Sequence, residues 1–198
     1  MTHIDDEAIA ALTAHYSRVF PSTPEGNTIG HLDICSSWVS FLPTDYAPAR
    51  CIGLGMSDPE LAANEQLSSY DVHDLNSSPV LPYEDESFDV ITNVVSVDYL
   101  AKPLQLFEEM HRVMKPGGLA VMSFSNRMFW SVSASVLAVS ISQTNLSHPA
   151  ESVDRTKAIK LWTESNEFQR VLVCAAYFHY HGGFSDLKAY EITLPNGE

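Results

Sequence analysis

Strand-like and helix-like segments alternate along this 198-residue chain. The pattern predicts an α/β fold with a mostly parallel sheet and helices on both faces. Two further observations support it. The run "FDVITNVVSV" at 88–97 is β-branched and apolar without polar alternation, as a fully buried central strand should be. The segments at 5–20 and 102–114 place apolar residues at helical spacing on one face.

Taken in order, "DDEAIAALTAHYSRVF" predicts a helix capped by Asp5 or Asp6, with Ile9, Leu12, Tyr16 and Val19/Phe20 inward. "HLDIC" reads as a short buried strand. "SSWVSFLP" allows at most two turns of helix before Pro43. "RCIGL" is a second strand. "DPELAANEQL" is a helix with Asp58 at its cap and Pro59 at its first position. "YDVHDL" is a third strand, and the 88–97 run is the fourth. "KPLQLFEEMHRVM" is an amphipathic helix with Leu106/Phe107, Met110 and Val113/Met114 inward. Glu108, Glu109, His111 and Arg112 form its solvated face. "KPGG" stops it, and "LAVMSFS" is the fifth strand. Residues 127–180 read as mostly helical, and "LKAYEITL" as a last strand.

Hydrophobic content of 45% and charged content of 18% fit a soluble globular domain. No apolar run is long enough to span a bilayer, and "MTHIDDEAIA" is acidic where a secretory leader is basic. A cytoplasmic location without membrane contact is therefore expected. A formal net charge of −14 repels phosphate backbones, so no nucleic-acid partner is expected. Cys35, Cys51 and Cys174 are too few and too far apart for a disulfide framework or a zinc ribbon. No metal site is expected either, because His179 and His181 lie two residues apart and do not share a helix face.

The stretch "DLNSSPVLPYEDESFDVITNVVSVDYLAKPLQLFEEMHRVMKPGGLAVMSFSNR" resembles the class I S-adenosylmethionine-dependent methyltransferases, specifically the methyltransferase type 11 group. The resemblance covers roughly residues 31–126 in order. The first motif, "LDICSSWVS" at 32–40, is similar to that of a methyltransferase-like subgroup reading Leu-Asp-x-x-Ser-Ser-Trp-Val-Ser. "HIDDEAIAALTAHY", "GLGM", "SNRMFW" and "YFHYHGGF" fit that subgroup too. The resemblance implies a Rossmann-like methyltransferase fold in a single domain. That domain comprises an N-terminal helical cap (1–30), a cofactor-binding core (31–126), and a helical segment with the last strand (127–198). The chain stops just after "EITLPNGE", as though the family's usual seventh strand were missing. An uncovered edge at the last strand would then invite self-association.

The implied activity is methyl transfer from S-adenosylmethionine to an acceptor expected to be a small molecule. The residues expected at the cofactor are Asp33, Ser36, Ser37, Gly55, Asp74, Leu75, Asn93, Val94 and Val95. Asp33 stands at the family's acidic position and would support the turn or contact the cofactor's amino-acid end. Ser36 and Ser37 would either bind the cofactor or, for Ser36, cap the short helix. Trp38 reads as a packing residue. Gly55 occupies the place where the family usually sets a ribose-binding acid, and Asp74 the place of the acid that accepts from the adenine amine. The catalytic residue is unassigned. Its candidates are His3, Arg127, His179 and Tyr180, within an acceptor-side set that also includes Asp5, Ser125 and Asn126. The missing glycines and the acid-free Gly55 leave an alternative open: a methyltransferase-like binding or scaffold protein without turnover. A nicotinamide oxidoreductase is the weaker third reading, because Gly-x-Gly-x-x-Gly is lacking.

Overall fold

A computed structural model of the chain describes residues 4–125, 136–143, 165–181 and 184–192. Helix α1 (Asp6–Val19) begins where predicted. The Asp5 side chain accepts from the Ala8 amide at 2.9 Å, and Ala8, Ala11, Leu12 and Tyr16 are buried. Strands β1 (Gly30–Ile34), β2 (Arg50–Gly55), β3 (Ser69–Val72), β4 (Phe88–Val94) and β5 (Met114–Ser125) follow. Helices α2 (Asp58–Ala62) and α3 (Pro103–Val113) lie between them, with a 3₁₀ turn at Val97–Tyr99. Next come β6 (Val136–Gln143), α4 (Glu167–Ala176), a π turn (Tyr177–His181) and β7 (Phe184–Glu191).

The sheet has seven strands in the order β3-β2-β1-β4-β5-β6-β7. The first five run parallel, while β6 is antiparallel to both β5 and β7. This is the predicted mostly parallel, doubly covered α/β architecture. One expectation is corrected. The strand that seemed missing is β6, in a stretch read as mostly helical, and β7 pairs with it from Leu137↔Glu191 to Gln143↔Phe184. Its outer partner, β7, lies far along the chain, so local periodicity does not announce it.

Two cores sit on opposite faces of the sheet. Leu32 and Ile34 of β1, with Ala120, Met122 and Phe124 of β5, meet Leu106, Phe107 and Met110 of α3 and Cys174 and Phe178 beyond it. Phe107 and Phe178 are fully buried, with ring centroids 4.7 Å apart. Each such ring contributes about 1.5–3 kcal/mol by leaving water. On the other face Val121 and Cys51 pack against Ile4, Ala8, Leu12 and Tyr16. The one-residue alternation along β5 is what divides the two.

Two predicted helices are cut back for one reason. Residues 36–43 carry no helix, and α2 ends at Ala62 rather than near 67. Polar side chains there bind backbone instead. Gln66 Oε1 accepts from the Ser40 and Leu42 amides, and its Nε2 donates to the Leu42 carbonyl. Asn64 Nδ2 donates to the Ser37 carbonyl and the Ser40 hydroxyl. Ser57, not Asp58, is the N-cap position of α2.

The solvated face expected on α3 is a clamp instead. Arg112 donates from Nε and Nη2 to both oxygens of Glu109, from Nη1 to Asp85 and the Tyr83 carbonyl, and from Nη2 to the Leu81 carbonyl. Glu109 also accepts from the Leu81 amide at 2.9 Å. Partial burial pushes the Glu109 carboxyl up, but the bonds from Arg112 and Leu81 outweigh it, so it titrates below its usual range. The pair fastens the "LPYED" loop to the helix. Arg112→Ala is expected to cost about 2–3 kcal/mol, since it strands two carbonyls and a part-buried carboxylate. Urea denaturation read by circular dichroism measures it, and a loss under 0.5 kcal/mol would contradict the clamp.

Candidate functional site

The carboxyl ends of β1 to β4 surround a cavity of about 410 Å³. β1 pairs with β2 on one side and β4 on the other, so the chain order reverses at this point. Such a reversal opens a crevice between the turns that leave neighbouring strands. The lining comes from the turn after β1 (Cys35 to Phe41), the end of β2, the loop after β3 and the residues after β4.

The first turn is held by hydroxyls. Asp33 is 3% exposed. Its Oδ2 accepts from Ser36 Oγ at 2.7 Å and Ser40 Oγ at 2.6 Å, and its Oδ1 from Thr92 Oγ1 at 2.9 Å. Because Thr92 spends its proton on Asp33, His31 Nε2 must be the donor in its 2.8 Å contact with Thr92 Oγ1. Burial depresses the His31 pKa to about 3, so the ring is neutral. Burial raises the Asp33 pKa, against the three hydroxyls that lower it. The Ser36 amide meanwhile donates to the Leu54 carbonyl at 2.9 Å, pinning the turn to β2. Cys35 takes φ +58°, the left-handed conformation usually given to glycine. The backbone path of a glycine turn is thus kept without the glycine. Ser36 caps no helix.

Gly55 ends β2 against this turn. A Cβ there would lie 2.3 Å from the Ser36 carbonyl oxygen. No side chain, acidic or otherwise, fits without moving backbone. Asp74 is exposed at the head of the loop after β3, where Oδ1 accepts from the Asn76 amide and Oδ2 from Ser77 Oγ. Leu75 beside it is buried. Val94 and Val95 follow β4, and Val95 has φ +41°. Strained backbone at Cys35 and Val95, on two adjacent strand ends, is the pattern of a site held by its surroundings.

Residues 32–122 match the family model for a methyltransferase domain. The match spans just under half of the chain. The chain is 42% identical over 64 residues to a biotin biosynthesis bifunctional protein of Teredinibacter turnerae, covering 32% of this chain and 10% of that one. It is 30% identical over 99 residues to a demethylmenaquinone methyltransferase of Geobacillus stearothermophilus, covering 46% and 42% respectively. The chain thus spans less than half the length of these relatives. Among solved structures, an S-adenosylmethionine-dependent methyltransferase from Mesorhizobium loti aligns with TM-score 0.46 and 19% identity over 58% of this chain and 53% of that one. The PH0226 protein of Pyrococcus horikoshii aligns with TM-score 0.47 and 23% identity, over 60% and 57%.

Within the matched region, Asp33, Ser36, Ser37, Gly55, Asp74, Leu75, Val94 and Val95 all line this cavity. Asn93 does not. It is buried behind the wall, where Nδ2 donates to the Ile34 carbonyl at 3.1 Å and Oδ1 has no partner among the described residues. Of the acceptor-side candidates, His179 and Tyr180 are exposed on the π turn and do not line the cavity. Asp5 caps α1, and Ser125 ends β5. His3, Asn126 and Arg127 lie outside the described residues. Among the described residues no cluster could hold a metal, and no helix is long and apolar enough to cross a membrane.

The sequence reading missed Glu60 and Met56, which line the cavity as Tyr99 does, and took Trp38 for a core residue. Trp38 is 42% exposed and lines the cavity too. The available signal for Glu60 was its place one turn into the helix that follows β2, beside the acid-free Gly55. Cys35 also lines the cavity; burial raises its thiol pKa to about 12, so it stays protonated.

Proposed function

We propose that the cavity binds S-adenosylmethionine and that the domain transfers its methyl group to a small-molecule acceptor. The observation that carries this is the convergence of Asp33, Ser36, Ser37, Gly55, Asp74, Leu75, Val94 and Val95 on one 410 Å³ space at the reversal of strand order. The fit is chemical as well as spatial. Among the described residues the lining includes Glu60 and Asp74 and no lysine or arginine, which suits a cationic donor. Bound there, the cofactor supplies an already activated methyl group on a sulfonium. The protein's task is then to hold, orient and exclude water.

In this reading Asp74 accepts from the adenine amine, with Leu75 against the ring. The hydroxyl-braced turn at Asp33 fixes the path of residues 35–37 along the donor. Val94 and Val95 form an apolar wall, and the exposed Trp38 and Tyr99 stand ready for an apolar acceptor. A second reading, a methyltransferase-like binding or scaffold protein that no longer takes the donor, is favoured by the full commitment of Asp33 to three hydroxyls and by the acid-free Gly55.

Calorimetric titration with S-adenosylhomocysteine tests both. Micromolar binding is expected, weakened about tenfold or more in Asp74→Ala through loss of one charge-assisted hydrogen bond. No heat from a folded chain would favour the second reading.

A further inference from the structure

The geometry points to Glu60, oriented by Ser37, as the carboxylate that binds the vicinal hydroxyl pair of the donor's sugar. This rests on the reading above that the cavity takes the donor. A sugar diol presents two adjacent O–H donors, and a carboxylate oxygen with open lone pairs is the side-chain acceptor that matches them best. Among the described residues three carboxylates line the cavity: Asp33, Glu60 and Asp74.

Asp33 is sealed, since both oxygens are occupied by buried or nearly buried hydroxyls. Asp74 gives one lone pair of each oxygen to the Asn76 amide and the Ser77 hydroxyl, and in the reading above its remaining capacity goes to the adenine amine. Glu60 differs. Ser37 Oγ donates to its Oε2 at 2.6 Å, and among the described residues no donor meets Oε1. The hydroxyl steadies the glutamate's rotamer and leaves an oxygen available beside the cavity.

Chain geometry explains why the acid sits on α2 rather than at the end of β2. A side chain at Gly55 would strike the Ser36 carbonyl, and that carbonyl belongs to the turn that carries Ser37. The close approach that excludes a side chain at 55 brings the first turn against β2. From there Ser37 reaches across to Glu60 on the following helix. The serines of "CSSWVS" thus divide the work. Ser36 and Ser40 brace the turn inward on Asp33, and Ser37 faces outward to place Glu60.

The test uses the intact chain with two probes, 5′-methylthioadenosine and its 2′-deoxy analogue, beside S-adenosylhomocysteine. Wild type is expected to bind the diol probe at least about fivefold more tightly than the deoxy probe. Glu60→Ala should erase that preference and weaken S-adenosylhomocysteine about tenfold, with an unchanged melting temperature because the side chain is exposed. Glu60→Gln, which keeps an oxygen but loses the charge, should fall between. Ser37→Ala should lose part of the preference and Ser37→Thr should restore it, as expected of a positioning residue. If wild type binds S-adenosylhomocysteine and Glu60→Ala keeps both affinity and preference, the assignment is overturned while the donor reading stands. If wild type binds none of the three ligands, the donor reading falls, and this assignment with it.

Discussion

Replacing Asp33 with alanine is expected to lower the unfolding free energy by about 3–5 kcal/mol and to abolish binding of S-adenosylhomocysteine. The carboxylate satisfies Ser36, Ser40 and Thr92 together. Without it three hydroxyls are left in a place where Ser40 and Thr92 are at most 1% exposed. Each stranded group costs about 1–3 kcal/mol, partly offset because a buried carboxyl no longer has to be desolvated. Chemical denaturation measures the loss. A variant less than 1 kcal/mol below wild type would show that the turn does not depend on this group.

Asp33→Asn isolates the charge. Burial raises the carboxyl's pKa in the folded chain. Its contribution is therefore fully present below the unfolded value of about 3.9 and declines as pH rises through the folded one. Asparagine has no such dependence. The stability difference between wild type and Asp33→Asn should move against wild type as pH rises from about 4. A pH-independent difference would contradict the raised pKa.

Gly55→Asp is the second large effect, and its expected direction runs against family resemblance. The substitution places an acid where the resemblance implies a ribose-binding one. Here the added Cβ would sit 2.3 Å from the Ser36 carbonyl oxygen and 3.3 Å from Leu61 Cδ2. The obstacle is backbone, already fixed by the Ser36 amide to the Leu54 carbonyl and by the His73 amide to the Gly55 carbonyl. Relief requires the first turn to move away from β2. A stability loss of about 2–3 kcal/mol is expected, with weaker rather than tighter binding of S-adenosylhomocysteine. Gly55→Ala should lose nearly the same stability, because the first carbon makes the clash. Tighter binding by Gly55→Asp at unchanged melting temperature would show that the turn yields freely.

The fold was legible because its elements obey short-range rules. Asp5 caps α1, the apolar spacing of 103–113 makes α3, and the β-branched and apolar residues of 88–94 make β4 a buried strand. Several cavity-lining residues were also legible, since an ordered motif series fixes where strand ends fall, and strand ends fix the crevice. The errors share another cause. "SSWVSFLP" and the second half of "DPELAANEQL" have adequate helical patterns, but Asn64 and Gln66 bind the backbone of residues 37–42 across 24 to 27 positions of chain. Arg112 looked like a solvated cation until the 81–85 loop folded over it.

By itself the sequence determined the alternating elements, the parallel sheet they must form, the absence of glycine from the first turn and the absence of an acid at position 55. Tertiary structure decided what those absences mean. Cys35 adopts the left-handed backbone where Asp33 of β1 gathers the hydroxyls of Ser36 and Ser40 from the turn and of Thr92 from β4. Gly55 is bare because Ser36 lies against it, and Glu60 meets Ser37 only once β2 and the first turn are packed together. Close approach of two backbones is a long-range fact, and no local pattern of residues encodes it.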